Sequence, residues 1–538
     1  MLHAQRLLTT YIFLCMIEAA GVSKLLARPL NLRAVAAFFL DIAWCWAYDA
    51  YRRVGWGCVN VRVGGAVSAA AGLSARGIVA GVAILALAMV PASADTLKGA
   101  LTQAYQNNPT LNSQRASVRA TDETVPQALS GYRPRVSLTA TAGEQYIDNV
   151  TRTSGASVSP ATYSHASGNL GLQQYGGTIT QNLLNGFGTA SRTRQAEQLV
   201  SAARETLRLT EQTVLLNAAT AYMNLIRDAA ILQLQRSNVE VLQEQLRQTR
   251  DRFTAGEVTR TDVAQAESRL ASARATMLTA ESNYVTSKST YRQVIGVDPG
   301  TLAPASPVDR LSPQTLQAGV IEARARHPSV TTAMFNVDAA VFQVKIAESS
   351  LYPVLNLVGS AQQTYGSTTA LTSLQSFAGS VVGQLTVPVY QGGTEYATIR
   401  QAKETLGQRR TDLDTARDQS QQTWVQTSGQ LEAAKAQIQA TTTQVNAAEI
   451  ALNGVREEAR VGQRTTLDVL NAQQELVNAR VALVTAQRDR VVASYALLAA
   501  AGRLSPEVLG LEVPIYDPKV HYHQVRDTWV GVRTPDGK

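Results

Sequence analysis

Cysteine is scarce in this chain and does not occur after residue 58. The 538 residues contain three cysteines, which are Cys15, Cys45 and Cys58, and three of the five tryptophans lie in the same early region. From residue 59 onward the sequence therefore excludes disulfides, a thiolate nucleophile and a cysteine-based metal site. Apart from His521 and His523 the few histidines are isolated, and no pair of a nucleophile and a base is visible, so we expect neither an enzyme nor a cofactor.

Long apolar runs are also lacking, and the one candidate is too short to span a membrane. Arg76 is followed by an apolar stretch at 77–90 and then by Ala92-Ser93-Ala94, which is the order of a secretory signal peptide. A membrane anchor, the alternative, needs roughly 20 apolar residues. We therefore predict cleavage after Ala94, with residues 1–94 forming an upstream extension plus signal peptide. The next residue is Asp95 and not cysteine, so no N-terminal lipid anchor is indicated.

Most of the excess of positive charge lies in this leader. The whole chain has a formal net charge of +8, but residues 95–538 carry 41 basic and 38 acidic residues, a net of +3. A nearly neutral chain gives no support for nucleic acid binding.

The second half of the chain repeats the first. Pro109 matches Pro328 at an offset of 219, whereas Gly256 matches Gly462 at an offset of 206. A period of this length indicates a duplicated domain-sized unit. We predict the following division: repeat 1 at 95–300, a linker at 301–312, repeat 2 at 313–504 and a C-terminal periplasmic tail at 505–538.

Each repeat contains stretches with the two-residue period of a strand. Apolar and polar residues alternate over Arg135–Tyr146, and strand character returns over Asn169–Leu184 and, in repeat 2, over Phe377–Val389. The Ser-, Thr- and Gly-rich stretch Thr151–Gly168 is predicted to be a surface loop. The change of offset, 13 residues between Pro134 and Asn185, is expected to fall in such a loop.

Proline and glycine are missing from Thr189–Phe253, which predicts one helix of about 100 Å. Its apolar residues fall seven apart, as do those at the equivalent sites of repeat 2, and this spacing indicates side-by-side helices. The repeated positions are Leu225, Leu232, Val239, Leu246 and Phe253, then Leu431, Ile438, Val445 and Leu452. Gly256 and Gly462 mark turns, after which helices over 262–295 and 468–501 return antiparallel.

Four strands cannot close a membrane barrel, because known barrels begin at about eight strands and open strand edges are not tolerated in lipid. Other copies of the chain must complete the sheet. A periplasmic coiled-coil scaffold or adaptor is the alternative, but its class carries no barrel strands. A substrate-specific porin is disfavoured because helices far outweigh strands.

This layout resembles the TolC family of outer-membrane export ducts. The segments Leu183–Gly188 and Val387–Gly393 are similar to the family's strand-to-helix junctions, with glycine at 186, 188, 392 and 393. The segments Arg252–Val263 and Val461–Leu470 are similar to its helix tips. The resemblance implies an α+β membrane protein that, as a homotrimer in outer-membrane lipid, forms a 12-strand β-barrel continued by a coiled-coil tunnel into the periplasm. It also implies a passive efflux or type I secretion duct, with a periplasmic adaptor and an inner-membrane transporter of RND or ABC type.

The same resemblance implies a gate at the tips. Asp468 matches a ring of aspartates that narrows the pore, and Asn471 stands where the family has a second acid. Asp262 and Arg464 match a polar latch between neighbouring helix pairs, whereas Ala459 replaces the latch tyrosine. The alternative is that both aspartates are acidic residues favoured in the first turn of a helix.

Two further motifs have simpler explanations. Gly186-Phe187-Gly188 superficially suggests a phosphate-binding turn, but no βαβ unit surrounds it, so we predict a plain turn. His521 and His523 could bind a metal from a strand, but no third ligand lies nearby, and we expect no metal site.

Overall fold

The computed structural model describes residues 95–153, 162–368 and 374–537, so the predicted leader and its cleavage site lie outside the described residues. The described part of repeat 1 consists of short helices, a pair of strands and a pair of long helices. Their bounds are α1 Leu97–Asn107, α2 Pro109–Asp122, α3 Thr124–Leu129, β1 Arg135–Thr153, β2 Thr162–Asn185, α4 Gly188–Thr254 and α5 Arg260–Ile295.

Repeat 2 has the same order of elements. Their bounds are α6 Leu316–Arg326, α7 Pro328–Glu348, β3 Val354–Thr368, β4 Leu374–Thr386, α8 Thr394–Arg460 and α9 Thr466–Ala500. The first residues of α1 and α6 are 219 apart and those of α4 and α8 are 206 apart, and α4 and α8 each contain 67 residues. The tail adds two short helices, α10 Pro506–Leu509 and α11 Pro518–Val525.

The strands form one antiparallel sheet in the order β1-β2-β3-β4. Arg135 pairs with Thr180 in the first hairpin, and Val354 pairs with Thr386 in the second. The two hairpins meet along β2 and β3, where the register shifts between Asn182 and Leu184. The described strands β1 and β4 are therefore the two edges of the sheet.

The first hairpin is longer than the sequence predicted. The predicted loop Thr151–Gly168 is wrong at both ends, because β1 continues to Thr153 and Thr162 already pairs with it. Small polar residues on an exposed strand have the composition of a loop, so the pattern did not separate the two. The arms of 19 and 24 residues, against 15 and 13 in β3 and β4, absorb the extra length of repeat 1. The predicted strand Phe377–Val389 ends early, at Thr386, before Pro388, which cannot donate to a ladder.

The long helices bury a narrow stripe, as the seven-residue spacing predicted. Helix α4 packs against α5, α7 and α9, and α8 packs against α7 and α9. The buried stripe positions are Leu225, Leu232, Val239 and Leu246 in α4, and Leu431, Val445 and Leu452 in α8. Phe253, at the end of α4, is 44% exposed because the helix ends there. Within the described ranges no helix is both long and apolar enough to cross a membrane.

A larger apolar core lies where α1, α4, α5 and α9 meet the linker and the tail. Tyr222 and Leu498 are fully buried there, and the Tyr222 hydroxyl donates to the carbonyl oxygen of Ala303 at 2.6 Å. Burial raises the pKa of Tyr222 to about 12. Asp95 is fixed at the edge of this core, since its N–H donates to the carbonyl of Thr301 at 2.7 Å.

The tail forms a helix, and not a strand, at His521 and His523. Pro518 at the first helical position and the Asp517 side chain, which accepts the N–H of Lys519, begin α11. His521 is buried on this helix, and its Nδ1 lies 3.0 Å from Asp122 Oδ2 in α2. This buried polar contact joins the tail to α2.

Candidate functional site

Each helix pair ends in a tight turn whose geometry requires glycine. Gly256 and Gly462 have φ of 81° and 82°, the left-handed region in which a side chain is strained. The following residues close the turns, because the N–H of Glu257 donates to the carbonyl of Arg252 and that of Gln463 to the carbonyl of Glu458, both at 2.9 Å. This pattern satisfies the last carbonyls of α4 and α8 and reverses the chain.

The tip aspartates cap the returning helices. Asp262 Oδ2 accepts the N–H of Thr259 at 2.9 Å, and Asp468 Oδ2 accepts that of Thr465 at 3.0 Å. The threonine hydroxyls in turn accept the aspartate N–H groups, which completes a capping box in each repeat. The Thr465 backbone N–H, its hydroxyl and then Arg464 hold the pKa of Asp468 below its usual value. The Asp468 carboxylate is thus kept charged, and the residue is partly exposed.

Arg464 pairs within its own tip. Its Nε donates to Glu458 Oε2 at 2.8 Å, as Arg252 does to Glu257 at 3.1 Å in the other tip. Asp262 and Arg464 both line one cleft of about 900 Å³ between the two tips. The two predicted latch residues thus line the same cleft. The guanidinium of Arg464 already forms an ion pair with Glu458, and the latch remains a prediction.

Asn471 has a partner that sequence reasoning missed. Arg269 Nη2 of α5 donates to Asn471 Oδ1 of α9 at 2.8 Å. The arginine is 202 residues away in sequence, and nothing in the spacing indicated which residue of α5 faces Asn471. The predicted constriction position therefore carries a guanidinium beside a neutral amide instead of a second carboxylate.

The strand-to-helix junctions are also built on left-handed residues. Gly186 and Phe187 have φ of 58° and 62°, and Gly392 and Gly393 have φ of 73° and 85°. A Cβ on Gly186 would lie 2.5 Å from the Cβ of Tyr352, and one on Gly188 would lie 2.8 Å from Ser349 Oγ. The glycines of repeat 1 thus combine a turn with a close approach to the end of α7, whereas those of repeat 2 meet nothing within 4 Å.

The described ranges contain no group of three His, Cys, Asp or Glu side chains that could hold a metal ion. The chemistry of the site is therefore that of charged turns and helix caps at one end of the long helices. At the other end the described strands form an antiparallel sheet with two open edges. A sheet that must be closed by other strands, continued by paired helices of about 100 Å, defines the class of outer-membrane channels with a periplasmic helical stem.

Comparison with known proteins agrees with this class, and the chain belongs to the outer membrane efflux protein family, which it matches over residues 100–297 and 320–503. It is 42% identical over 448 residues to the outer membrane efflux protein BepC of Brucella suis, covering 83% of this chain and 94% of the relative. It is 28% identical over 429 residues to the outer membrane protein TolC of Escherichia coli, covering 77% and 84%.

The fold is that of solved outer-membrane channels. The crystal structure of VceC from Vibrio cholerae aligns with a TM-score of 0.61 at 20% identity, over 76% of this chain and 96% of that one. The protein is therefore an outer-membrane exit duct and not an enzyme, and the family match decides against the periplasmic scaffold.

Proposed function

We propose that three copies of the chain form one duct, with a 12-strand barrel in the outer membrane and a helical tunnel in the periplasm. The observation that carries the proposal is the sheet with two free edges: among the described residues β1 pairs only with β2, and β4 only with β3. Unpaired N–H and C=O groups are costly in lipid, so β4 of one copy must meet β1 of the next. Closure then requires several copies, and three give a lumen that matches a tunnel of long helices.

The narrow stripes of the long helices support the same assembly. Exposed apolar residues remain outside the stripes, such as Leu278 and Val285, seven apart on α5 and each 60% exposed. A seven-residue apolar repeat favours packing against a further helix. In a ring of three copies, such residues lie against the helix pair of the neighbouring copy.

The tips supply the periplasmic end of the duct. Asp468 of three copies forms a ring of like charge that favours cations, with Asn471 one helical turn further on. Arg464 and Asp262 hold neighbouring helix pairs in the closed state. A periplasmic adaptor then contacts the tips, and an inner-membrane transporter of RND or ABC type drives the cargo through the adaptor into the duct.

Engineered disulfides test the closure of the barrel. Residues 95–538 contain no cysteine, so cysteine at Val136 on β1 can be combined with cysteine at Val381, Gly383 or Leu385 on β4 without a background. Within one chain the two edges are three strand spacings apart, about 14 Å, whereas a disulfide needs Cα atoms within about 7 Å. Every disulfide that forms must therefore join two copies.

We expect at least one pair to give dimers and trimers on a non-reducing gel, with no larger species, and the single-cysteine variants to stay monomeric. Species larger than trimers would contradict closure at three copies. The cargo class is tested separately, by deleting the gene and measuring both drug sensitivity and the secreted proteome. If the deletion leaves both drug efflux and protein secretion unchanged, the proposed partnership with an inner-membrane transporter is contradicted.

A further inference from the structure

The end of the C-terminal tail returns to the base of the sheet. Arg133 Nη1 donates to the carbonyl oxygen of Thr528 at 2.7 Å, and its guanidinium carbon lies 4.7 Å from the centre of the Trp529 ring. Arg133 stands two residues before the first residue of β1, Arg135. The tail segment Thr528–Arg533 is thus held beside the point where the membrane strands begin.

The preceding helix fixes this placement. On α11, the His521 ring contacts Asp122, and Tyr522 packs against an apolar cluster that includes Val125 and Val200. Arg526, at the end of α11, forms an ion pair with Glu197. Because these contacts attach α11 to α2, α3 and α4, the residues that follow it have a defined direction toward the sheet.

The segment presents apolar side chains outward. Trp529 is 63% exposed, Val530 is 84% exposed and Val532 is fully exposed. A tryptophan with one face on an arginine and the other outward is typical of the boundary between lipid and water, where its ring sits among headgroups. Exposed apolar residues grouped in this way indicate a surface that a membrane or another protein covers.

Other exposed aromatic residues lie at the same level. They are within a few residues of the strand ends, on both repeats, and more than half of each side chain is exposed. These residues are Tyr132 and Phe187 in repeat 1 and Tyr352 and Tyr390 in repeat 2. Membrane barrels carry girdles of aromatic residues at both lipid boundaries, so this set identifies the periplasmic boundary and places Trp529 in it.

Positive charge accompanies the girdle. Arg135, Arg192 and Arg194 are exposed near the strand-to-helix junction, and Arg533 follows the apolar segment. Of the nearby acids, Glu197 pairs with Arg526 and Asp536 with Arg119, whereas Asp527 is exposed, so the exposed arginines outnumber the one acid that no ion pair engages. Long arginine side chains beside a membrane strand reach phosphate groups at the lipid surface.

We propose that Thr528–Arg533 is a membrane-surface anchor, in which Trp529 inserts into the phospholipid headgroups of the periplasmic leaflet while Arg133 holds it in place. Three observations favour a phospholipid surface over a second copy of the chain. The segment lies beside the base of β1, aromatic residues surround it, and basic residues accompany them. The inference uses the outer-membrane location of the sheet and does not depend on the number of copies.

Tryptophan fluorescence in lipid tests the anchor. Trp424 and Trp529 are the only tryptophans after residue 56, and Trp424 is 1% exposed. The full chain, Trp529→Phe and Trp424→Phe are each reconstituted in phosphatidylethanolamine–phosphatidylglycerol vesicles, with and without bromine on the acyl chains near the glycerol. The emission lost on Trp529→Phe isolates the signal of Trp529.

We expect brominated lipid to quench most of the Trp529 signal, whereas the Trp424 signal, isolated in the same way, stays unchanged. If the Trp529 signal is quenched by aqueous iodide but not by brominated lipid, the tail faces water and the anchor is wrong. If neither quencher reaches it, a neighbouring copy covers Trp529, which also overturns the proposal. Arg133→Gln should reduce quenching by brominated lipid, and unchanged quenching would contradict the positioning role of Arg133.

Discussion

Gly319 lies directly beneath the indole ring of Trp424. A Cβ on Gly319 would stand 1.9 Å from Cζ2 of the ring, and Trp424 is 1% exposed, with its Nε1 donating to the carbonyl of Leu316 at 3.0 Å. In repeat 1 the equivalent residues, by the offsets of 219 and 206, are Ala100 and Ala218, both buried. The two repeats therefore pack the short helix on the long helix differently: repeat 2 uses a glycine and a tryptophan where repeat 1 uses two alanines.

This contact predicts that Gly319→Ala destabilises the protein. The added methyl group has no space beside a buried ring, and overpacking of this kind costs roughly 1–3 kcal/mol. Thermal unfolding followed by circular dichroism measures the effect. The matched control is Gly99→Ala in α1, where a Cβ would lie 3.4 Å from Thr96 Oγ1, an ordinary distance. Equal unfolding temperatures for the two variants would show that the ring does not restrict residue 319.

His327 predicts a pH dependence that its counterpart in repeat 1 lacks. Asn108 caps α2, and His327 caps α7 by accepting the N–H of Ser329 on Nδ1 at 3.2 Å. Burial lowers the pKa of His327 below its usual 6.5 in the folded chain. The unfolded chain therefore binds the proton first, so this contribution to stability is complete above pH 6.5 and is lost as the pH falls below it.

We expect His327→Asn to keep the cap and to remove this loss of stability. Unfolding temperatures of the original protein and of His327→Asn, measured between pH 7.5 and pH 5, test the difference; the slope should be shallower in the variant. Identical slopes in both proteins would mean that His327 does not titrate in this range.

The proposed ring of charge at Asp468 can be separated from its role as a helix cap. Asp468→Asn removes the charge but leaves a side-chain oxygen for the Thr465 N–H, whereas Thr465→Ala keeps the charge and removes the hydroxyl from the cap. If the carboxylate selects cations, bilayer recordings should show reduced cation selectivity for Asp468→Asn and nearly unchanged selectivity for Thr465→Ala. Unchanged selectivity in Asp468→Asn would leave the carboxylate with the capping role alone.

Arg269 should weaken binding of multivalent cations at the tip. Asn471→Asp adds a second carboxylate per copy and should strengthen block by trivalent cations, but the new carboxylate would lie within hydrogen-bonding distance of the Arg269 guanidinium. The double variant Asn471→Asp with Arg269→Gln should therefore be blocked at lower concentration than the single variant. Equal block in both would mean that Arg269 does not compete for the site.

The separate role of Arg464 is tested by conductance. Its partner Glu458 lies in the same tip, so a latch to a neighbouring copy must compete with this ion pair. Arg464→Ser should raise the resting conductance if the latch forms in the closed duct. A conductance equal to that of the original protein would limit Arg464 to its contact with Glu458.

The long helices were predictable to within two residues, because the absence of proline, the seven-residue apolar spacing and the glycines at 256 and 462 are local signals. The hairpin of β1 and β2 was not, since residues such as Ser164 and Ser167 suit both a loop and an exposed strand. The partner of Asn471 depends on how α5 and α9 face each other. Neither helix sequence alone predicts which of their residues come into contact. The proposed gate depends on contacts between copies, which one chain does not contain.

The most direct test of the proposed duct is to measure the mass and the conductance of the same purified particle. Light scattering with size-exclusion chromatography gives the protein mass of the detergent-solubilised species, and bilayer recordings give the activity of the same fraction. Closure of the β1 and β4 edges between copies predicts three processed chains per particle, with conductance confined to that fraction. A monodisperse monomer that conducts would contradict the account, because four strands would then form a pore without the edges of other copies.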